Sequence, residues 1–341
     1  MTLLANRFDF IRLVLSAGVF VYHGVAIGAA QAFGAAEMAL AQVAEISIEG
    51  FFIVSGLLVT GSLDRASTLA DYAGKRIRRL YPAYAAVILV PALISLLLSR
   101  DVGGVASYLG ANLVFLNFLS PVLPGLFEGN RFPEVNGALW TLKIEVMFYI
   151  ALPVILLVLN RMKALWWLGI LALYIAGEVW AHSVPLLAGE PYGAELGRQL
   201  PGQMAFFAMG IALWKASPGI QRRWRALALC GTALLGATYL EPLLEPLRAL
   251  ALAGVIGAVA WAPGPKFNVA RFGDVSYGLY ITHFPILQAL SAAGLAASLG
   301  LGGFLALATA LTLAASFALW HLVEKPALRP SSHYRRVTTE T

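Results

Sequence analysis

Residues Phe10–Ala29 read FIRLVLSAGVFVYHGVAIGA, twenty positions that are apolar apart from Arg12, Ser16, Tyr22 and His23. At ~1.5 Å of rise per residue such a helix reaches ~30 Å, the hydrocarbon thickness of a bilayer. Whether it is a lone anchor or one span of many depends on the rest of the chain. Similar runs recur near Ala44–Leu63, Pro82–Leu98, Leu139–Leu159, Ala164–Ala181, Pro201–Leu213, Ala226–Leu240, Leu243–Ala262, Ser276–Ala293 and Leu301–Leu322. Only 12% of the 341 residues are charged and 59% are hydrophobic. Soluble domains carry ~25% charge, so too little polar side chain exists to clothe a soluble globule, and the apolar content excludes disorder. The expected fold is all-α: a polytopic bundle of about ten transmembrane helices forming one domain, residues 1–325, with a short basic tail, residues 326–341.

The basic residues orient this bundle. With the amino terminus in the cytoplasm, the inner segments hold Arg7, Arg65, Lys75, Arg76, Arg78, Arg79, Arg161, Lys163, Lys215, Arg222, Arg223, Arg225, Lys266, Arg271, Lys325, Arg329, Arg335 and Arg336, 18 of the 24 Lys and Arg. Arg100, Arg131, Arg198 and Arg248 fall outside, and Arg12 and Lys143 lie within or at the edge of spans. The bias places both termini in the cytoplasm. It also accounts for the net charge of +6, which leaves nucleic-acid binding with nothing to explain. The single cysteine, Cys230, excludes an intrachain disulfide and a cysteine-based metal site. A secretory signal is the alternative reading of the first 35 residues, with Ala29-Ala30-Gln31-Ala32 as its cleavage region; Arg12 deep in the run and His23 at its far side argue against it. The longest non-spanning region, about residues 99–138, is expected outside as a packed cap or half-inserted helix, because Phe115, Phe118, Phe127 and Phe132 are too apolar for a disordered loop.

Ionisable side chains at bilayer depth are costly and mark candidate sites. Arg12 and His23 are eleven residues apart, about 20° beyond three full helical turns, so they share a face at ~16 Å axial separation. That suits a long ligand held at one end and reacting at the other; a snorkelling arginine and a hydrogen-bonded core histidine are the structural alternative. Glu45, Glu49, Phe52 and Gly56 form one stripe of the second span, and Ser55-Gly56 marks close packing. Lys75, Arg76, Arg78 and Arg79 cluster at the cytoplasmic face before Pro82, which is able to start the next helix. They serve positive-inside anchoring or, through forked guanidinium groups, a polyphosphate. Glu145 and Tyr149 share a face below Trp140. Ser276, Tyr280 and His283 form a polar stripe on the ninth span, where Pro285 frees the carbonyl of Ile281. That stripe fits a site or interhelical glue. His182, His321 and His333 are read as structural.

Six landmarks in order resemble the acyltransferase-3 family of membrane O-acyltransferases that modify bacterial glycans. They are Phe8-Asp9-Phe10-Ile11-Arg12 with His23; Gly50-Phe51-Phe52-Ile53-Val54-Ser55-Gly56-Leu57-Leu58; Arg76-Ile77-Arg78-Arg79-Leu80-Tyr81-Pro82; Leu139-Trp140-Thr141-Leu142-Lys143-Ile144-Glu145; Gly273–Pro285; and Val323-Glu324-Lys325-Pro326. Thr141, Val146 and Thr282 depart from the family's usual residues and border the acceptor side. The resemblance implies acyl-coenzyme A, usually acetyl-CoA, as the cytoplasmic donor, a glycan or glycolipid hydroxyl as acceptor, and no metal. It implies a catalytic His23 with Arg12. The expected site adds Glu145 and His283 as catalytic residues, Arg12, Arg76, Arg78 and Arg79 toward the donor, and Glu49, Trp140, Tyr149, Ser276 and Tyr280 toward the acceptor. Glu49 or Glu145 is expected to orient His23, and His283, Tyr280 or Ser276 to stabilise an oxyanion or bind the acceptor. Some family members carry an appended hydrolase-like domain; none is expected after the last span here, and any handover of product would then need a separate extracytoplasmic protein. The rival class is a multi-span transporter or flippase, whose mark would be an unwound or repeated pair of spans, and none is evident. A non-catalytic relative that scaffolds glycan machinery is the third reading.

Overall fold

The computed structural model of the protein describes residues 7–29, 34–190, 192–265, 273–330 and 332. Lys266, Arg271, His333, Arg335 and Arg336 lie outside the described residues, as do Ala30, Gln31 and Ala32 of the cleavage candidate. Among the described residues the chain is all-α, with an isolated bridge between Leu123 and Leu126 in place of any strand. The helices are α1 (Phe8–Gly28), α2 (Ala35–Asp64), α3 (Leu69–Ser99), α4 (Val102–Asn112), α5 (Trp140–Arg161), α6 (Trp166–Ala188), α7 (Gly193–Gly197), α8 (Met204–Ile220), α9 (Trp224–Leu240), α10 (Arg248–Trp261), α11 (Val275–Ala292), α12 (Leu295–Leu319) and α13 (Lys325–Ala327). A π-helical turn, Trp320–Glu324, joins α12 to α13.

Among the described residues, seven helical stretches are long and apolar enough to cross a membrane: those containing α1, α2, α3, α5, α6, α10 and α12. The chain is therefore a multi-pass membrane protein. The three other expected spans coincide with α8, α9 and α11. The first two have 17 residues each, only ~25 Å at the helical rise. Helix α11 has 18 residues and carries Ser276, Thr282, His283 and Gln288, which lower its apolarity.

Helix α3 starts well before the expected Pro82. The Thr68 hydroxyl accepts from the Asp71 N–H at 3.0 Å, and the Asp71 carboxylate accepts from the Ser67 N–H at 3.4 Å. This reciprocal capping fixes the amino end at Leu69. Lys75, Arg76, Arg78 and Arg79 thus lie on helical turns, and Pro82 sits inside the helix rather than opening it. The missing Pro82 N–H removes the donor that the Arg78 carbonyl would otherwise receive.

The helices gather in two compact units. One comprises the described residues of Met1–Arg12, Ile48–Tyr72 and Ile144–Phe267. Within it α2 and α8 meet at paired glycines: a Cβ on Gly56 would lie 2.5 Å from the Phe207 carbonyl oxygen and 3.1 Å from Gly210 Cα. The close packing expected at Ser55-Gly56 is present, of the small-residue kind that lets membrane helices touch backbone to backbone. Helix α6, by contrast, buries only Ile170 and Gly177 along 23 residues, as a helix facing lipid does.

The second unit comprises the described residues of Leu13–Ser47, Ala73–Lys143 and Asn268–Thr341. Its inner helix is α11, thirteen of whose eighteen residues are buried. The Ser16 hydroxyl donates to the Ser276 carbonyl at 2.8 Å, and His23 meets His283. Both links join residues 260 apart in sequence, so α1 and α11 run parallel. Parallel spans require an odd number of crossings between them, as the first and ninth of an alternating series have.

The segment of residues 99–138 packs through α4 and its following turns against α3. Helix α4 buries Val105, Tyr108 and Asn112. The Tyr84 hydroxyl of α3 donates to the Asn112 carbonyl at 2.7 Å and accepts from the Asn117 amide at 3.0 Å. Burial, then the neighbouring Tyr84, hold the Tyr108 hydroxyl well above the usual tyrosine range. Further along, Arg131 donates to the Ala26 carbonyl at 3.0 Å and pairs with Glu37 at 2.9 Å. It thereby satisfies one of the last carbonyls of α1.

Candidate active site

His23 is half-buried on α1 and His283 is fully buried on α11. His23 Nδ1 lies 2.8 Å from His283 Nε2. Stacked ring faces cannot approach so closely, so the imidazoles meet edge to edge, their planes within 16°. His283 Nδ1 is 3.0 Å from the Leu279 carbonyl oxygen. Phe284 meets the His23 ring edge-on at 5.0 Å between centroids, and Tyr22 lies at 5.1 Å. His23 Nε2 has no protein partner among the described residues. Within the second unit the partner of His23 is His283. The reason is the register of two helices: the i+260 pairing that seats Ser16 on Ser276 carries His23 to His283 seven residues later.

Ser276 and Tyr280, expected with His283 on a polar stripe, have their hydroxyls engaged by protein. Ser276 donates to Asp274 at 2.6 Å, and the Tyr280 hydroxyl lies 2.8 Å from the Thr141 hydroxyl. Thr141 in turn donates to the Ala138 carbonyl at 3.1 Å. The Tyr280–Thr141 contact joins α11 to α5, whereas the Ser276–Asp274 contact stays within the entry to α11.

The carbonyl of Ile281, expected to be released by Pro285, receives the Asn136 side-chain amide at 2.8 Å. The Asn136 oxygen accepts from the Ala138 N–H at 3.2 Å, which caps the turn leading into Trp140 and α5. One turn beyond His283, the buried Gln288 amide donates to the Glu134 carbonyl at 2.8 Å and to that of Phe132 at 2.5 Å. The 99–138 segment is thus pinned to α11 on both sides of Pro285. Replacing Asn136 by alanine strips two buried polar groups of partners and is expected to lower stability by ~1–3 kcal/mol. Thermal unfolding of the detergent-solubilised variant checks this; an unchanged midpoint would mean that Asn136 does not satisfy Ile281.

The basic cluster divides by environment. Arg79 donates to Glu324 at 2.6 Å and pairs with Asp274, and its guanidinium lies 5.2 Å from the Tyr277 ring centroid. Both carboxylates are nearly fully buried. Gly273, at φ +101°, packs against Trp320, and this conformation, open to glycine, delivers Asp274 to the arginine. Arg79, expected to hold donor phosphate, is instead an anchor between α3, the entry to α11 and the π turn. Arg78 is exposed and Arg76 half-buried, and Arg329 approaches Gly74 at the same end of α3.

In the other unit, Glu145 of α5 is half-buried, and its Oε1 accepts from Ser55 of α2 at 3.0 Å and from Tyr149 at 2.5 Å. The expected Glu145–Tyr149 pair is therefore real, with Ser55 as a third member. Glu49 is buried and pairs with Arg248 at 2.9 Å. Arg248 continues to Glu245 at 3.5 Å, and His182 bridges Glu245 and Glu178 at 3.9 and 3.7 Å. Among the described residues no group of three or more His, Cys, Asp or Glu could hold a metal ion.

The acyltransferase-3 family, described as an acyltransferase domain, matches residues 6–321. The chain belongs to this family. It is a membrane acyltransferase that transfers groups other than aminoacyl groups, and the matched region includes α1 with Arg12 and His23. The chain is 26% identical over 305 residues to Nodulation protein 10 of Rhizobium leguminosarum bv. viciae, covering 82% of this chain and 81% of that protein. It is 28% identical over 309 residues to the exopolysaccharide production protein ExoZ of Rhizobium meliloti (strain 1021), covering 85% and 91%. With the O-acetyl transferase of Shigella phage Sf6 it shares 25% over 350 residues, covering 96% and 97%. No solved structure matches the chain.

Four residues that make polar contacts within one or other unit of this acyltransferase escaped sequence reasoning. Ser16 and Ser55 are single serines in apolar runs; Asp274 and Glu324 sit within landmark motifs but carry no charge-pair signal, since their partner Arg79 is 195 and 245 residues away.

Proposed function

We propose that this acyltransferase moves an acetyl or other acyl group from cytoplasmic acyl-coenzyme A to a hydroxyl of a glycan or glycolipid, with His23 as general base. The observation that carries the reading is His23 itself: one ring nitrogen is held at 2.8 Å by His283, while the other has no protein partner among the described residues. Such a held imidazole can take a hydroxyl proton as the oxygen attacks the thioester carbon. The names of the relatives, an O-acetyl transferase and an exopolysaccharide production protein, support an acetyl donor and a glycan acceptor.

In this reading the chain lies in the inner membrane with ten spans and both termini cytoplasmic. Arg78 and Arg76 receive the donor's phosphates, and the pantetheine arm runs along α1 past Arg12 to His23, ~16 Å further on. From the sequence reading, Glu145 is proposed as a further catalytic residue and Glu49, Trp140 and Tyr149 as acceptor-binding residues. A separate extracytoplasmic protein receives product that must travel further.

Label transfer by protein in nanodiscs tests this. Acetyl-labelled coenzyme A and a surface glycan should give labelled glycan. Arg78→Ala is expected to raise the donor KM roughly 10-fold or more, the size of a lost charge-assisted hydrogen bond. Passage of glycan across the bilayer without covalent label would favour the transporter reading instead.

A further inference from the structure

We infer that His283 is a positioning residue that fixes the tautomer of His23 and makes Nε2 of His23 the base nitrogen. The inference rests on the general-base reading above and supplies the proton arrangement that reading needs. The Leu279 carbonyl can only accept. His283 Nδ1, 3.0 Å away, must therefore carry a hydrogen. His283 is fully buried and its ring contacts are Phe20, Tyr280, Phe284 and His23, with no carboxylate among them. An imidazolium without a counter-charge at this depth is costly, so the ring is neutral and its Nε2 holds a lone pair. The 2.8 Å contact then requires His23 Nδ1 to donate. A neutral His23 that donates from Nδ1 has its lone pair on Nε2, the nitrogen without a protein partner among the described residues.

The same geometry removes His283 from the direct roles expected of it. Both of its nitrogens face protein groups, so it offers no N–H to an oxyanion and no acceptor to a sugar. Its action passes through His23. During transfer the acceptor O–H bond breaks and its proton goes to His23 Nε2. The oxygen forms its bond to the thioester carbon, the C–S bond breaks, and the leaving sulfur takes the proton back from Nε2. While Nε2 is protonated, the positive charge is shared across the Nδ1–H···Nε2 contact with His283, whose own Nδ1–H stays on Leu279. An oppositely wired pair would present an N–H to the hydroxyl and could not accept its proton.

Nitrogen-15 spectra of protein labelled in its histidine rings, in nanodiscs, read this directly, with His23→Gln and His283→Gln used to assign the two rings by difference. The expected pattern is a protonated Nδ1 and an unprotonated Nε2 in both rings; a protonated Nε2 on His23 overturns the inference. Kinetics provide the second arm. His283→Leu, which cannot accept from His23, is expected to lower kcat at least ~10²-fold with little change in donor KM, because the general-base contribution is lost. His283→Gln keeps an acceptor oxygen and is expected to recover to within roughly 10-fold of the parent, since the tautomer rather than the ring is what the base requires. Equal loss in both folded variants, or no loss in either, overturns the positioning role. A parent protein that shows the expected ring pattern yet transfers no acyl group would instead defeat the functional reading alone.

Discussion

Alanine in place of His23 is expected to lower kcat for acyl transfer ~10²–10⁴-fold, the usual range for loss of a general base. The donor KM should change little, because the phosphates are assigned to Arg78 and Arg76 and the phosphate-bearing end of coenzyme A is the part most strongly held. Two controls make the result interpretable. The substitution leaves His283 Nε2 without its donor, which costs ~1–3 kcal/mol, so turnover must be normalised to folded protein. Thioester hydrolysis measured alongside transfer separates loss of the base from loss of the donor site. Near-parental kcat in folded His23→Ala would remove the general-base assignment and leave His23 as a structural partner of His283.

The second large effect is on stability. Arg79→Leu leaves Asp274 and Glu324 buried and facing the space of a lost guanidinium, their side chains each 2% exposed. Removing one partner of such an arrangement is expected to cost about 3–5 kcal/mol. The measurement is thermal unfolding in detergent, with yield of monodisperse protein as a second readout. Combining Arg79→Leu with Asp274→Asn and Glu324→Gln neutralises both carboxylates and should recover much of the loss, because the penalty comes from burying negative charge without the arginine rather than from missing attraction. Arg79→Lys keeps the charge but not the fork, so an intermediate effect is expected. If Arg79→Leu were as stable as the parent and differed only in donor KM, Arg79 would return to the phosphate-binding group.

The structure also shows what a linear chain discloses. Apolar runs located the helices, since burying an unbroken stretch of ~20 residues in lipid leaves few alternatives. They failed at ends: α2 and α3 extend beyond the apolar segment, and for α3 the extension was written in Ser67, Thr68 and Asp71, whose capping pattern is local. Local spacing similarly disclosed Glu145 with Tyr149, and Pro285 correctly marked a released carbonyl at Ile281. The donor that fills it, Asn136, is 145 residues earlier. Arg79 looked like its neighbours Arg76 and Arg78 because all four cations of the cluster satisfy the same orientation bias. Only packing separates an exposed guanidinium from one between two carboxylates. His23 was visible as a costly group, but its partner depends on which residues of α11 face α1, a matter of register that spacing within either helix does not fix.

The 260-residue offset that joins α1 to α11 has a consequence for biogenesis. Ribosomes add ~5–20 residues per second, so roughly 13–50 s separate synthesis of His23 from that of His283. For that interval the nascent first helix must reside in or beside the bilayer with the Ser16 hydroxyl and the His23 ring lacking their final partners. The same delay applies to Arg79, whose carboxylates are translated 195 and 245 residues later. Insertion of the amino-terminal helices and completion of their polar contacts are therefore separate events in time. The protein becomes fully wired only as its carboxyl-terminal helices emerge, and a chain stopped before α11 would hold a membrane-inserted first helix that no later segment can complete.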